Sequence, residues 1–186
     1  MSSQTRPVKL TIEDYLLFPD DGKRHELIDG DHYVTPSPNT RHQRISGKLL
    51  ISLHTFVTQH RLGEVFAAPL DVILSEFDVV QPDLIFVSTG RAAIITEANI
   101  QGAPDLVVEI LSERTRKVDE RVKRDLYSRY GVAEYWIIDP DLETIKVYRM
   151  TDKGYLRAAE LAKETKDALS SPLLPGLSLL LAEIFG

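Results

Sequence analysis

Two carboxylates of this chain stand inside apolar runs. Asp83 lies in Val80-Gln-Pro-Asp-Leu-Ile-Phe-Val87, and Glu109 lies in Leu106-Val-Val-Glu-Ile-Leu111. Burying an unpaired charge is costly, so each acid needs a partner, a cation or a shifted pKa. Hard divalent cations favour such carboxylate oxygens. The separation, 109 − 83 = 26 residues, lets the two strands return beside each other. Either acid alone reads equally as one that pairs with a base or points outward at a strand end. Lys123 adds a third element. It follows Val122 on the helix after the Glu109 strand, and a helix returning over the sheet would carry its ammonium towards both acids. Glu26, at the start of a hairpin, is a fourth candidate, though a single exposed acid there is unremarkable.

Other chemistries find little support. The sequence has no P-loop, no dinucleotide-binding Gly-rich turn, no G-x-S-x-G elbow and no H-E-x-x-H pair. Its 5 histidines are scattered, and His54 and His60 fall on different helix faces. The absence of cysteine excludes disulfides, thiolate metal sites and a cysteine nucleophile, and suits a reducing cytoplasm. No apolar run approaches the ~18 residues of a membrane span. The N-terminus lacks the apolar core of a signal peptide, so a soluble, cytoplasmic protein is expected.

The net charge of −6 argues against a protein that coats DNA. Residues 38–62 nevertheless carry Arg41, Arg44, Lys48 and Arg61 with no acid, and residues 113–130 carry seven basic against four acidic residues. These segments sum to +7, so the remainder carries −6 − 7 = −13. Two basic segments can meet an anion if the fold puts them on one face; otherwise they are solvated helix faces.

The elements that must position these residues follow from periodicity. Residues 1–10 read as a flexible arm, and residues 11–186 as a single domain. Thr11-Ile-Glu-Asp starts a short helix that Pro19 stops. His25 to Val34 forms a hairpin about Asp29-Gly30. A helix from Thr40 has the stripe Ile45, Leu49, Leu53 and Phe56. Val65–Leu74, Val79–Val87 and Asp105–Leu111 read as strands, with Pro82 marking an edge or bulge and the last buried on both faces. A helix over Val118–Tyr130 has the stripe Val118, Val122, Leu126 and Tyr130. Strands at Glu134–Ile138 and Thr144–Tyr148 flank a turn, and Leu177–Phe185 closes the chain as an apolar helix. This order implies an α/β fold, a mixed central β-sheet flanked by α-helices.

Several stretches together resemble the Uma family of restriction-endonuclease-like proteins, within the PD-(D/E)xK nuclease superfamily. They are Glu26-Leu-Ile-Asp-Gly30, Thr35-Pro-Ser-Pro38 with His42 behind it, Gln81-Pro-Asp-Leu84, Pro104-Asp-Leu-Val-Val-Glu-Ile-Leu-Ser112, Lys123 with Tyr127, and Gly131-Val-Ala-Glu-Tyr-Trp136 ending in Asp139-Pro140. The resemblance spans Thr11 to Phe185 and implies a restriction-endonuclease-like core. Pro82-Asp83 matches the superfamily's PD, and Glu109 its D/E. The usual lysine position is Leu111 here, and Lys123 takes the relocated place. Pro104-Asp105 is a second PD, but Asp105 lies four residues from Glu109 in one strand and reads as a strand-start residue.

The resemblance implies an endonuclease that hydrolyses phosphodiester bonds of nucleic acid, DNA in particular. Asp83, Glu109 and the Ile110 carbonyl would hold Mg²⁺ or Mn²⁺, with Glu26 directly or through water. Lys123 would orient the attacking water. Arg41, His42, Arg44, Arg116, Lys117 and Arg124 are candidate nucleic-acid contacts, His42 having also a structural reading at its helix start. Tyr127 and Trp136 read as core. A homodimer would suit two-strand cutting. The alternative is a catalytically inactive nucleic-acid-binding or scaffold protein on the same fold.

Overall fold

The computed structural model describes residues 8–186. Most of the anticipated arm therefore lies outside the described residues, but Leu10 is tied down, its amide donating to the Gly30 carbonyl at 2.9 Å. After α1 (Ile12–Tyr15), closed by a Thr11–Asp14 capping box, come β1 (Arg24–Ile28) and β2 (Asp31–Thr35). The two-residue turn between them places Asp29 at φ 53° and Gly30 at φ 74°, the left-handed pair that a tight hairpin requires. A Cβ on Gly30 would also stand 2.7 Å from Lys9 Cβ.

The long helix α2 (Thr40–His60) begins where Asn39 Oδ1 accepts from the His42 amide. Its buried stripe is His42, Ile45, Leu49, Leu53 and Val57. Phe56, expected in that stripe, is only partly buried beside it.

Next come β3 (Gly63–Ala67), β4 (Val72–Ser75), β5 (Asp78–Val80) and β6 (Leu84–Ser88). Two expected strands are thus each broken in two. Val65–Leu74 is interrupted around Pro69, and Val79–Val87 at Gln81-Pro82-Asp83. The second break is a change of sheet. β5 belongs to a five-stranded sheet, β2-β1-β5-β4-β7, and β6 to a six-stranded one, β11-β10-β9-β8-β6-β3. Pro82 has no N–H to continue a ladder, which suits such a crossing.

The rest of both sheets comes from β7 (Ile100–Gln101), β8 (Leu106–Ile110), β9 (Glu134–Asp139), β10 (Thr144–Thr151) and β11 (Gly154–Ala162). The anticipated terminal helix, Leu177–Phe185, is strand over its first four residues and helix over its last five. β13 (Leu174–Leu180) pairs with β12 (Ala168–Ser171), leaving α4 as Leu181–Phe185. Leu177 and Leu179 alternate with exposed Ser178 and Leu180, as in a strand covering one face, and Leu174 is buried beyond the exposed Pro175-Gly176.

The helix expected over Val118–Tyr130 opens as a π-turn, Val118–Lys123, and continues as α3 (Arg124–Arg129). Its buried side chains are Asp119, Lys123, Leu126 and Tyr127. Val118, Val122 and Tyr130 lie half-buried at the edge of the core. The Tyr135 hydroxyl donates to the Asp119 carbonyl at 3.0 Å, engaging a group inside the wider turn.

The six-stranded sheet is buried on both faces. On one side Leu106, Val108, Ile110, Trp136 and Ile138 pack under the α2 stripe, α4 and β13. On the other, Ile85, Val107, Tyr135 and Ile137 pack with Leu126, Tyr127 and residues of the five-stranded sheet. Each fully buried Leu or Ile contributes about 1.5–3 kcal/mol.

Candidate active site

Strand parity fixes where the two acids point. β6 and β8 are antiparallel with Leu84 opposite Val108, so one further step sets Asp83 opposite Glu109. They share the parity of Ile85 and Val107 and therefore point to the face that carries α3. β1 then supplies Arg24 and Glu26, two residues apart on one strand. The Glu26 carboxylate accepts from the Gln81 amide at 2.8 Å, fastening β1 to the crossing between the sheets. The π-turn supplies Asp119 and Lys123 from above.

The contacts fall into two sets. Asp83 Oδ1 accepts from Arg24 at 2.8 Å, while Oδ2 meets His42 Nε2 at 3.0 Å and the Ile110 amide at 2.8 Å. Lys123 Nζ lies 2.9 Å from Glu26, 2.9 Å from Glu109 and 3.6 Å from Asp119. Tyr127 also donates to Glu109, at 2.9 Å. Both partners of Glu109 use Oε1, which leaves Oε2 for a ligand.

The electrostatics of the two acids diverge. Burial pushes Asp83 up, but the His42 hydrogen bond, the His42 and Arg24 charges and the Ile110 amide outweigh it and hold it below the usual range. Burial pushes Glu109 up to about 8; Lys123 opposes this, while Asp119, Asp83 and Glu26 add to it. Burial likewise raises Asp119 to about 6, against Lys123 and a Thr115 hydrogen bond. Burial lowers Lys123, yet the charges of Glu109, Glu26 and Asp119 lift it well above the ordinary lysine value.

The site forms the floor of a cleft of about 340 Å³, walled by Pro36–Asn39 on one side and Ser112–Thr115 on the other. Asp83, Glu109, Lys123 and Ile110 thus line one cleft, and Glu26 joins them through Lys123, 2.9 Å away, without lining it. Trp136 is wholly core. Tyr127 is core too, but its hydroxyl reaches the site. Asp105 accepts from the Ser88 amide and Arg91, away from Glu109, in keeping with a strand-start role.

Of the six candidate nucleic-acid contacts, only His42 lines the cleft. The two basic segments do meet, but at the acidic turn after β9. Arg41 reaches Glu143 at 3.4 Å, and Arg116 pairs with Asp139 and, at 3.5 Å, with Asp141. Arg124 pairs with Asp125 and lies over the Tyr148 ring. Arg44 and Lys117 are exposed. The sequence reading missed four charged residues of the cleft, Arg24, Glu113, Arg114 and Asp119. Asp119 was signalled by its four-residue spacing from Lys123, and Arg24 by its two-residue spacing from Glu26 on one strand. Arg114 carried no such signal.

The architecture, mixed sheets flanked by helices, is a restriction-endonuclease-like fold. A family model described as "Uma2: Putative restriction endonuclease" matches residues 12–182, and the chain belongs to that family. Among solved structures, it is similar to "a putative nuclease belonging to DUF820" from Anabaena variabilis ATCC 29413. There the TM-score is 0.78 at 23% identity, covering 95% of this chain and 97% of the other. A type IIG restriction endonuclease, BpuSI, matches at TM-score 0.43 and 12% identity, over 81% of this chain and 16% of that one. No curated protein matches in sequence. No helix among the described residues is long and apolar enough to cross a membrane.

Proposed function

We propose that this protein is a metal-dependent endonuclease that hydrolyses phosphodiester bonds, with DNA as substrate. The observation that carries the reading is the convergence of Asp83, Glu109 and Lys123 on the floor of one cleft.

The donor set fits a hard divalent cation. Four buried carboxylates, Glu26, Asp83, Glu109 and Asp119, face two fixed cations, Arg24 and Lys123, leaving an excess of negative charge. Among the described residues no three His, Asp or Glu side chains form a ready-made cage. Mg²⁺ does not need one, since it is commonly held by one or two carboxylates together with waters and substrate phosphate. Asp83, Glu109 and the Ile110 carbonyl would hold the ion. When bound, it would polarise the phosphoryl oxygen and lower the pKa of a water.

The chain's own groups do the rest. His42, Arg24 and the Ile110 amide fix the Asp83 carboxylate in its ionised form. Glu26 and Asp119 hold the Lys123 ammonium against Glu109, where it orients the attacking water and offsets the charge growing on phosphorus. This assigns Glu26 first to positioning the lysine. Water adds to phosphorus, one P–O ester bond breaks, and the products are a phosphate monoester and a hydroxyl.

The test is cleavage of labelled DNA, single-stranded and duplex, in Mg²⁺, in Mn²⁺ and in EDTA. Cleavage in either metal, none in EDTA and none by Asp83→Ala is expected. Equal cleavage by wild type and Asp83→Ala would mean a contaminant and would sink the reading.

A further inference from the structure

The cleft has a second lobe. A cavity of about 400 Å³ adjoins it across Asp83, and both share Arg24, His42 and the wall Thr35–Pro38. Asp83 is therefore the floor residue common to two chambers, each on the scale of a small-ligand pocket. The second chamber pairs flat apolar surface, from Pro36, Pro38 and Ala68-Pro69, with the polar side chains of Gln43 and Ser46. Lys23, itself paired with Asp21 at 2.7 Å, and Asp20 also stand in its lining. A planar heterocycle with hydrogen-bonding edges, followed by a phosphate, is the chemistry that such a lining suits.

Two further observations bear on what form of nucleic acid can use it. Asp83, Glu109, Lys123 and Glu26 are each at most 4% exposed, so the reacting phosphate must descend to them. Three of the cations that could grip a duplex from outside are already paired, Arg41 with Glu143, Arg116 with Asp139 and Arg124 with Asp125, which leaves Arg44, Arg114 and Lys117 exposed. Duplex affinity rests on Lys and Arg side chains that neutralise phosphates, and the chain's net charge is −6. A stiff duplex keeps its bases stacked inside and its phosphates on a convex surface. An unpaired strand can bend, lower one phosphate into a recess and turn its base aside.

We propose that the substrate is an unpaired strand, or an unpaired stretch of a longer molecule, with the scissile phosphate at Asp83 and the neighbouring nucleoside seated in the second lobe. The inference rests on the nuclease reading and adds the substrate form and a base-binding subsite. It also removes the need for two sites facing two strands.

The test separates this proposal from the reading beneath it. Binding of a labelled single-stranded oligonucleotide and of the same sequence as a duplex is measured by fluorescence anisotropy in EDTA, where no cleavage occurs. The single strand should bind tighter by roughly 10-fold or more, the scale of one seated base. Ser46→Trp fills the lobe without touching the acids and should remove that advantage. Gln43→Trp makes the same test from an exposed helix position, so it stands if Ser46→Trp fails to fold. Melting curves confirm that each variant is folded. Duplex bound as tightly as single strand, or full single-strand affinity in a folded Gln43→Trp protein, overturns the proposal. If the duplex is then cut in Mg²⁺ or Mn²⁺, the nuclease reading survives alone. If neither form is bound or cut, both fall.

Discussion

Asp83 and Glu109 stand opposite each other on neighbouring strands, yet the protein treats them differently. Asp83 is ringed by donors: Arg24, His42 and the Ile110 amide hold it ionised. Glu109 is ringed by Glu26, Asp119 and apolar side chains, with Lys123 as its one cation, and burial lifts it to about 8. One half of the site carries a fixed charge. The other gains whenever positive charge arrives, whether as a proton or as a divalent ion. The two halves also come from different architecture. The Asp83 half depends on the crossing between the sheets and the start of α2, and the Glu109 half on the π-turn laid over β8.

The largest effects should come from breaking each half outright. Asp83→Ala should cost on the order of 10²-fold or more in cleavage, because metal ions in such sites supply several kcal/mol of transition-state stabilisation. Mn²⁺ titration should show weakened binding, while DNA affinity in EDTA holds or rises as a negative charge is lost. Lys123→Ala should lower turnover but leave Mn²⁺ binding intact, since an ammonium is not a ligand. It should also destabilise the metal-free protein by roughly 3–5 kcal/mol, the cost of leaving buried acids uncompensated. Denaturant melts of both variants would reverse the comparison if Asp83→Ala proved the less stable.

Next in size is the pH dependence of the metal-free protein. Glu109 has its folded pKa raised from 4.5 to about 8. The folded state therefore holds that proton more tightly, and its contribution to stability is full below 4.5 and lost as pH rises towards 8. Asp119, raised from 3.8 to about 6, works in the same direction over a lower window. Asp83 has the opposite sign: its depressed pKa gives stability present above 3.8 and lost as pH falls. Melting temperature should therefore decline between pH 5 and 8. Each pKa unit is worth about 1.4 kcal/mol, so the decline should be easily measured. Glu109→Gln should abolish most of it, and Mg²⁺ should flatten it. A metal-free wild type whose melting is level from pH 5 to 8 would remove the contrast between the two acids.

Much of this site could be read from the chain because its acids are out of place. A carboxylate in an apolar strand demands explanation, which singled out Asp83 and Glu109 without any geometry. Lys123 was found because it flanks the core stripe of the next helix. The supporting residues were legible only in part. Arg24 shares a strand face with Glu26, and Asp119 lies one turn before Lys123, but charges at such spacings are common on surfaces. The π-turn was not legible, because it accompanies a hydrogen bond from Tyr135 on a distant strand. The change of sheet at Pro82 was visible only as an irregularity, since one residue's lost N–H does not say where the chain goes next. β11 was missed because Arg157 and Glu160 punctuate it and leave a half-exposed strand with weak alternation.

The smallest expected effect is also the finest probe of the Glu109 half. Tyr127→Phe removes the hydroxyl that donates to Glu109 Oε1 and leaves the ring, itself fully buried, in place. Lys123 still holds the same oxygen. Below pH 8, where Glu109 retains its proton for much of the time, the loss should be about 1 kcal/mol, as for a neutral hydrogen bond. Above pH 8 the acceptor is a full carboxylate, and the loss should grow to about 1.5–3 kcal/mol. The substitution withdraws a donor that favours the charged form, so it should push Glu109 further up and shift the stability decline to higher pH. Denaturant melts of wild type and Tyr127→Phe at pH 6 and pH 9 would measure this. A difference that is the same at both values would mean that Glu109 does not change its charge over that range, and that the two acids are less unlike than their surroundings imply.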